Sequence, residues 1–193
     1  MARAEGLAVA LLAAGRSTRF GVADKLLAQL GDRPLIKWAA DAGLSVGADH
    51  RFLVAGDDFD ADTLGYRLCP NPHPEHGMAT SLRIAATAAR EAGASALLIL
   101  LADMPFVTAA HLARLVATFL RDSSAPVFST AEGGTPQPPS LFPASLFAAL
   151  QALEGDKGAR SLAVGATLVV AGADALLDVD TPDDLDSARQ SIL

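Results

Sequence analysis

Residues 97–102 read LLILLA and are closed by Asp103 and then Pro105. A run that is apolar on both alternations leaves no face for water. As a strand it must lie inside a sheet covered on both sides. Proline has no N–H for a ladder, so Pro105 stops it. A second such run, 7–13, ends at Gly15. Two strands of this kind need helices on both faces, and the intervening chain supplies them. Predicted helices span 34–43, 77–92, 108–120, 143–153 and 157–164, and a last one starts at Thr181 with Pro182, Asp183 and Asp184 in its first turn. Trp38, spaced with Leu35 and Ala39, reads as core. Further strands are predicted over 51–55, 66–69, 127–130, 168–170 and 176–179, and 133–139 is read as a loop for its Gly and Pro content. Strands alternating with helices predict a layered α/β fold with a mostly parallel sheet, as one domain over 1–193.

Charge and cysteine usage narrow the partners. Fifteen Lys and Arg stand against 22 Asp and Glu, a net charge of -7, which disfavours a nucleic-acid backbone. The single Cys69 excludes an intrachain disulfide and a cysteine metal cluster, reads as a small buried hydrophobe, and makes a cytoplasmic setting the default. Residues 1–14 hold an arginine and an apolar stretch, as a signal peptide does, but Glu5 follows Arg3 and the stretch reads better as a buried strand. No apolar run reaches the length of a membrane span.

In parallel sheets, ligands sit beyond the carboxyl ends of the strands. Those positions here are 14–25, 56–58, 71–77, 103–106 and Asp180. The first of these loops holds Gly15 and Gly21, the cations Arg16, Arg19 and Lys25, and the hydroxyls of Ser17 and Thr18. Glycines let backbone N–H groups approach an oxygen, and the cations suit a polyphosphate. The loop has neither the Walker nor the dinucleotide glycine pattern. Asp103 is either a cap for the next turn or a magnesium ligand, and the cationic loop beside it favours the metal. Asp180 lies in a turn beyond a strand, with Asp178 one alternation earlier. Such a pair needs a cation: magnesium shared with Asp103, or else solvent or an arginine such as Arg160. His73 and His76 are separated by Pro74 and Glu75 and preceded by Pro72, so no helical metal face is possible; they read as a solvated loop. Asp57, Asp58 and Asp60 read as a solvated turn.

LAAGRSTRFGVADKLL, NPHPEHGMATSL, LADMPFV, GDKGAR and DVDTPDDL, in that order, resemble the MobA-like nucleotidyltransferases, and among them the molybdenum cofactor cytidylyltransferases. The resemblance implies a Rossmann-like, three-layer nucleotide-diphospho-sugar transferase fold. It implies a reaction in which a phosphate on a pterin cofactor attacks the α-phosphorus of CTP and pyrophosphate leaves. It places Leu12, Ala13, Ala14 and Gly15 against base and ribose, Arg16, Ser17, Arg19 and Lys25 on the phosphates, and Ser81 nearby. Arg16, Lys25 and Asp103 become the catalytic set, Asp103 the Mg2+ ligand with Asp180 beside it, and Asn71, Gly77, Gly158 and Arg160 the acceptor side. The expected partners are CTP or another NTP, a molybdopterin-type acceptor and a client molybdoenzyme. Phe20 replaces a usual methionine, and Gln137 stands where a glycine-histidine-proline element is common. Ala13-Ala14 resembles cytidylyl members, since guanylyl members carry a second glycine there. A guanylyl or sugar-phosphate transferase, or a cofactor carrier without catalysis, are the alternatives.

Overall fold

The computed structural model describes residues 5–15, 20, 25–56, 59, 64–155, 158–172 and 174–192. In chain order the elements are β1 (Leu7–Leu12), the short hairpin β2 (Gln29–Leu30) and β3 (Arg33–Pro34), α1 (Leu35–Leu44), β4 (His50–Ala55), β5 (Arg67–Pro70), α2 (Met78–Glu91), β6 (Ala96–Leu101), α3 (Ala109–Phe119), β7 (Val127–Thr130), β8 (Gln137–Pro143), α4 (Phe147–Gln151), β9 (Thr167–Val170) and α5 (Pro182–Ser191). Among the described residues, seven strands form one sheet in the order β5-β4-β1-β6-β8-β7-β9. The two apolar runs lie at its centre: β1 pairs in parallel with β4 on one side and β6 on the other.

Alternation along these strands builds three layers. Leu7, Val9, Leu11, Leu98 and Leu100 face α1, α3 and α5, while Ala8, Ala10, Leu97 and Ile99 face α2 and α4. On that second face α2 presents Ala85, Ala86 and Ala89, all buried. Small side chains on both partners let helix and sheet approach closely. No helix among the described residues is long and apolar enough to cross a membrane.

Four sequence expectations are corrected. Of the helix predicted over 157–164, only a 3-10 turn, Gly158–Leu162, forms among the described residues. Residues 137–139 are not loop: they open β8, which runs antiparallel between β6 and β7. Its prolines lack ladder donors, and the β7 pairing shifts register between Phe128 and Ser129. The fully buried Leu141 and Phe142 hold the strand in place by packing. Pro143 ends this strand, and the helix predicted over 143–153 shrinks to a 3-10 turn, Ala144–Leu146, followed by α4. Residues 176–179 form no strand; the segment is buried at Leu176 and Val179 and tied by Val179 N–H to the Asp103 carbonyl, at 2.9 Å.

A buried polar chain locks α3 to the sheet. Thr108 caps α3 by accepting from His111 N–H at 3.1 Å. The Arg114 guanidinium donates to His111 Nδ1 at 3.0 Å and to the Val170 carbonyl at 2.9 Å. With Nδ1 accepting, Nε2 carries the proton and donates to Ser129 Oγ at 2.7 Å. Ser129 donates in turn to the Pro139 carbonyl at 2.7 Å. One imidazole thereby links α3 to β7, β8 and β9.

Candidate active site

β1 and β6 end level with each other, with Leu12 opposite Leu101. Ala102 N–H donates to the Leu12 carbonyl at 3.0 Å, and Ala13 N–H to the Val54 carbonyl at 2.7 Å, so both chains leave the sheet at one place. Beyond these carboxyl ends lies a cleft of about 510 Å³. It is lined by Leu12, Ala13, Ala14 and Gly15, by Lys25 and Asp103, and by Gly77 and Ser81 from the start of α2.

Lys25 opens a 3-10 turn, Lys25–Leu27, and is only 7% exposed. Its Nζ lies 2.9 Å from Asp103 Oδ2 and 2.8 Å from Asp180 Oδ1. Burial alone would lower its pKa, but the charges and hydrogen bonds of Asp103 and Asp180 outweigh burial and hold the ammonium above the ordinary lysine value. Asp180 is positioned by the cap of α5. The Asp184 carboxylate accepts from Asp180 N–H at 3.1 Å and from Thr181 N–H at 2.8 Å, completing a capping box with Thr181.

The cluster carries more negative charge than Lys25 balances. The Asp178 carboxyl is pushed up to about 6, first by desolvation and then by the charges of Asp103 and Asp180. Asp103 Oδ1 is buried without a hydrogen-bond partner among the described residues. A buried acceptor left unmade costs about 1–3 kcal/mol. A hard divalent cation takes carboxylate oxygens as ligands and would satisfy both deficits. Asp103 and Asp180 are the residues that fit it.

The other sequence-named residues fall into three groups. Leu12, Ala13, Ala14, Gly15, Gly77 and Ser81 join Lys25 and Asp103 on the cleft wall. Asn71, Gly158 and Arg160 do not line it. Asn71 is 2% exposed and acts as a clamp: its amide donates to Thr80 Oγ at 3.1 Å and Ser81 Oγ at 3.0 Å, and its carbonyl accepts from His73 N–H at 3.0 Å. Gly158 packs beside Met78; a Cβ there would stand 3.4 Å from the Met78 sulfur. Arg160 donates through Nε to the Pro136 carbonyl at 2.9 Å. Lys25, not Arg160, is the cation on Asp180. Arg16, Ser17, Thr18, Arg19, Gly21, Asp57, Asp58 and Asp60 lie outside the described residues. Leu26 and Met78, which were not singled out in the sequence, also line the cleft, as do Pro74 and Glu75 from the expected 71–77 loop. Met78 had a visible signal, its place directly after Gly77 where α2 begins.

Residues 9–173 match the MobA-like NTP transferase domain family. The chain is 31% identical over 201 residues to the purine catabolism protein PucB of Bacillus subtilis, covering 94% of this chain and 95% of PucB. It is 34% identical over 146 residues to a probable molybdenum cofactor guanylyltransferase of Haloferax mediterranei, covering 70% of this chain and 60% of that protein. The solved structure of the Rv0371c homologue from Mycobacterium sp. strain JC1 superposes with a TM-score of 0.81 at 26% identity, over 97% of this chain and 96% of that one. A nucleotidyl transferase from Methanothermobacter shares the fold, with a TM-score of 0.79 at 22% identity over 97% and 98% of the two chains. The family match runs from the central strand through the cleft to the far edge of the sheet, so this chain belongs to the MobA-like NTP transferase domain family and is a nucleotidyltransferase.

Proposed function

We propose that the protein moves CMP from CTP to the phosphate of a molybdopterin-type acceptor, with release of pyrophosphate. The observation that carries this reading is the Asp103–Lys25–Asp180 cluster on the wall of a cleft shared with the 12–15 backbone. Base and ribose lie along Leu12, Ala13, Ala14 and Gly15. Arg16, Ser17, Arg19 and Lys25 take the phosphates. Asp103 and Asp180 would hold a Mg2+ ion, which would supply charge neutralisation for the pyrophosphate leaving group. The acceptor phosphate is already an anion, so no protein base is needed. Positioning by the chain accounts for the remaining rate enhancement. The acceptor approaches from the Gly77 side, over a loop braced by Asn71, with Gly158 and Arg160 on the chain beyond. The likeness to PucB supports a client enzyme in purine catabolism, and a cytoplasmic setting suits the lone Cys69.

Two results test this. Replacing Lys25 by Ala removes a cation from the cleft and leaves Asp103 and Asp180 to repel each other. Triphosphate affinity measured by calorimetry is expected to fall by about 1.5–3 kcal/mol, the range for hydrogen bonds to charged groups. Unchanged affinity would assign Lys25 to its two carboxylates alone.

The second concerns the base. Ala13 and Ala14 both line the cleft, and a methyl in place of a second glycine there would disfavour the larger purine. CTP with magnesium is expected to raise the melting temperature more than GTP at equal concentration, and to be the better source of pyrophosphate with a molybdopterin acceptor. The Haloferax relative's name favours the guanylyl reading, and a reversed order of the two nucleotides would establish it.

A further inference from the structure

We propose that His73, Glu75 and His76 bind a divalent transition-metal ion of the zinc class, at a site separate from Asp103 and Asp180. One ligand atom from each of the three residues lies within 4.8 Å of the others. Glu75 Oε1 is 3.2 Å from His73 Nδ1 and 3.8 Å from His76 Nε2. Donors on a tetrahedral zinc ion stand roughly 3.3 Å apart, given zinc–ligand bonds of about 2 Å. The Glu75–His73 spacing matches that of a loaded site, and the other two pairs close to it by side-chain rotation within the 4.8 Å cluster.

The local fold explains how a proline-rich loop achieves this. Pro74–His76 is a single 3-10 turn with His73 at its N-cap. Residues three apart eclipse in a 3-10 turn. The two imidazoles accordingly stack, with centroids 5.2 Å apart and planes 18° from parallel. An α-helical face is unnecessary. The backbone is also fixed beforehand. Asn71, itself buried, accepts from His73 N–H at 3.0 Å, and His76 N–H donates to the His73 carbonyl at 3.1 Å. Pro74 restricts the backbone of His73, the residue before it. Ordering these ligands therefore costs little at the moment of binding.

The donor set sets the class of ion. Two imidazole nitrogens and one carboxylate suit zinc, cobalt, nickel or copper better than magnesium, which prefers oxygen alone. Three protein ligands leave the fourth position of a tetrahedral ion to water. The imidazoles are 61% and 64% exposed, so an ion can reach them from solvent. Glu75 also lines the nucleotide cleft, so a bound ion adds positive charge to that wall.

Titration of the full chain with Co2+ reads coordination directly through visible absorption. Zn2+ competition against a chromophoric chelator gives the affinity. One equivalent per chain is expected to show the absorption of a four-coordinate ion, distinct from the weak spectrum of an oxygen-ligated ion at Asp103 and Asp180. His73→Gln and His76→Gln are each expected to weaken binding at least about tenfold, since even an outer partner of a metal ligand costs that much. Asp103→Asn is expected to leave it unchanged. Absence of that four-coordinate absorption, its survival in both histidine variants, or its loss in Asp103→Asn would each overturn the proposal.

Discussion

Asp103→Asn is expected to slow pyrophosphate release by about a hundredfold to a thousandfold while the protein stays folded. The side chain follows the end of β6 and keeps 23% of its surface in solvent, so it is not part of the apolar core. Asparagine preserves the shape and can still accept from Lys25. It loses the negative charge that a divalent cation requires. Removing one preorganised electrostatic group from a transition state costs on the order of a hundredfold to a thousandfold in rate. Stability changes little, because the lost attraction to Lys25 is offset by relief of repulsion from Asp178 and Asp180. Activity against magnesium concentration separates the two ligands. Asp180→Asn is expected to raise the magnesium needed for half-maximal rate, since the Asp180 side chain is half exposed and its Oδ1 is already held by Lys25. Turnover at the parent rate in Asp103→Asn would reduce Asp103 to a partner of the lysine.

The parts of the fold that could be read from sequence are those written in local composition. Buried parallel strands are apolar on both alternations, so β1 and β6 announce themselves, and the rule for ligand sites then points to Ala14, Lys25 and Asp103. Asp180 rests on an expected strand over 176–179 that does not form. The cap of α5 is equally local: Thr181, Pro182 and Asp184 lie within one turn. Strand β8 was hidden because Pro138 and Pro139 carry turn chemistry, and packing of Leu141 and Phe142 overrides it. The partner of Asp180 was hidden for another reason. Lys25 and Asp180 are 155 positions apart, and no short pattern encodes their meeting. It follows from Val179 binding the Asp103 backbone, a contact that exists only once the sheet is assembled. The histidine loop shows a third limit. Its prolines do exclude an α-helical face, but a 3-10 turn brings the same side chains together.

Acid is expected to weaken the fold through His111. Burial, and then the positive charge of Arg114 beside it, push its imidazole down to about 4 from an ordinary value of 6.5. Nδ1 accepts from Arg114, so protonation there would break that bond and set two cations together inside the protein. The unfolded chain binds the proton more readily than the folded one. The stabilisation is therefore complete above pH 6.5 and is lost as pH falls towards 4. A shift of this size corresponds to roughly 3 kcal/mol. Asp178 works in the opposite sense over an overlapping window. Its carboxyl is raised to about 6, so acid relieves its repulsion from Asp103 and Asp180. The two effects are separated by measuring urea unfolding of the parent and of His111→Gln across this range. Asp178 is common to both proteins and cancels in their difference. The parent's advantage is expected to be level above pH 6.5 and to shrink steadily below it. An advantage that does not change with pH would mean that His111 holds α3 to the sheet without titrating.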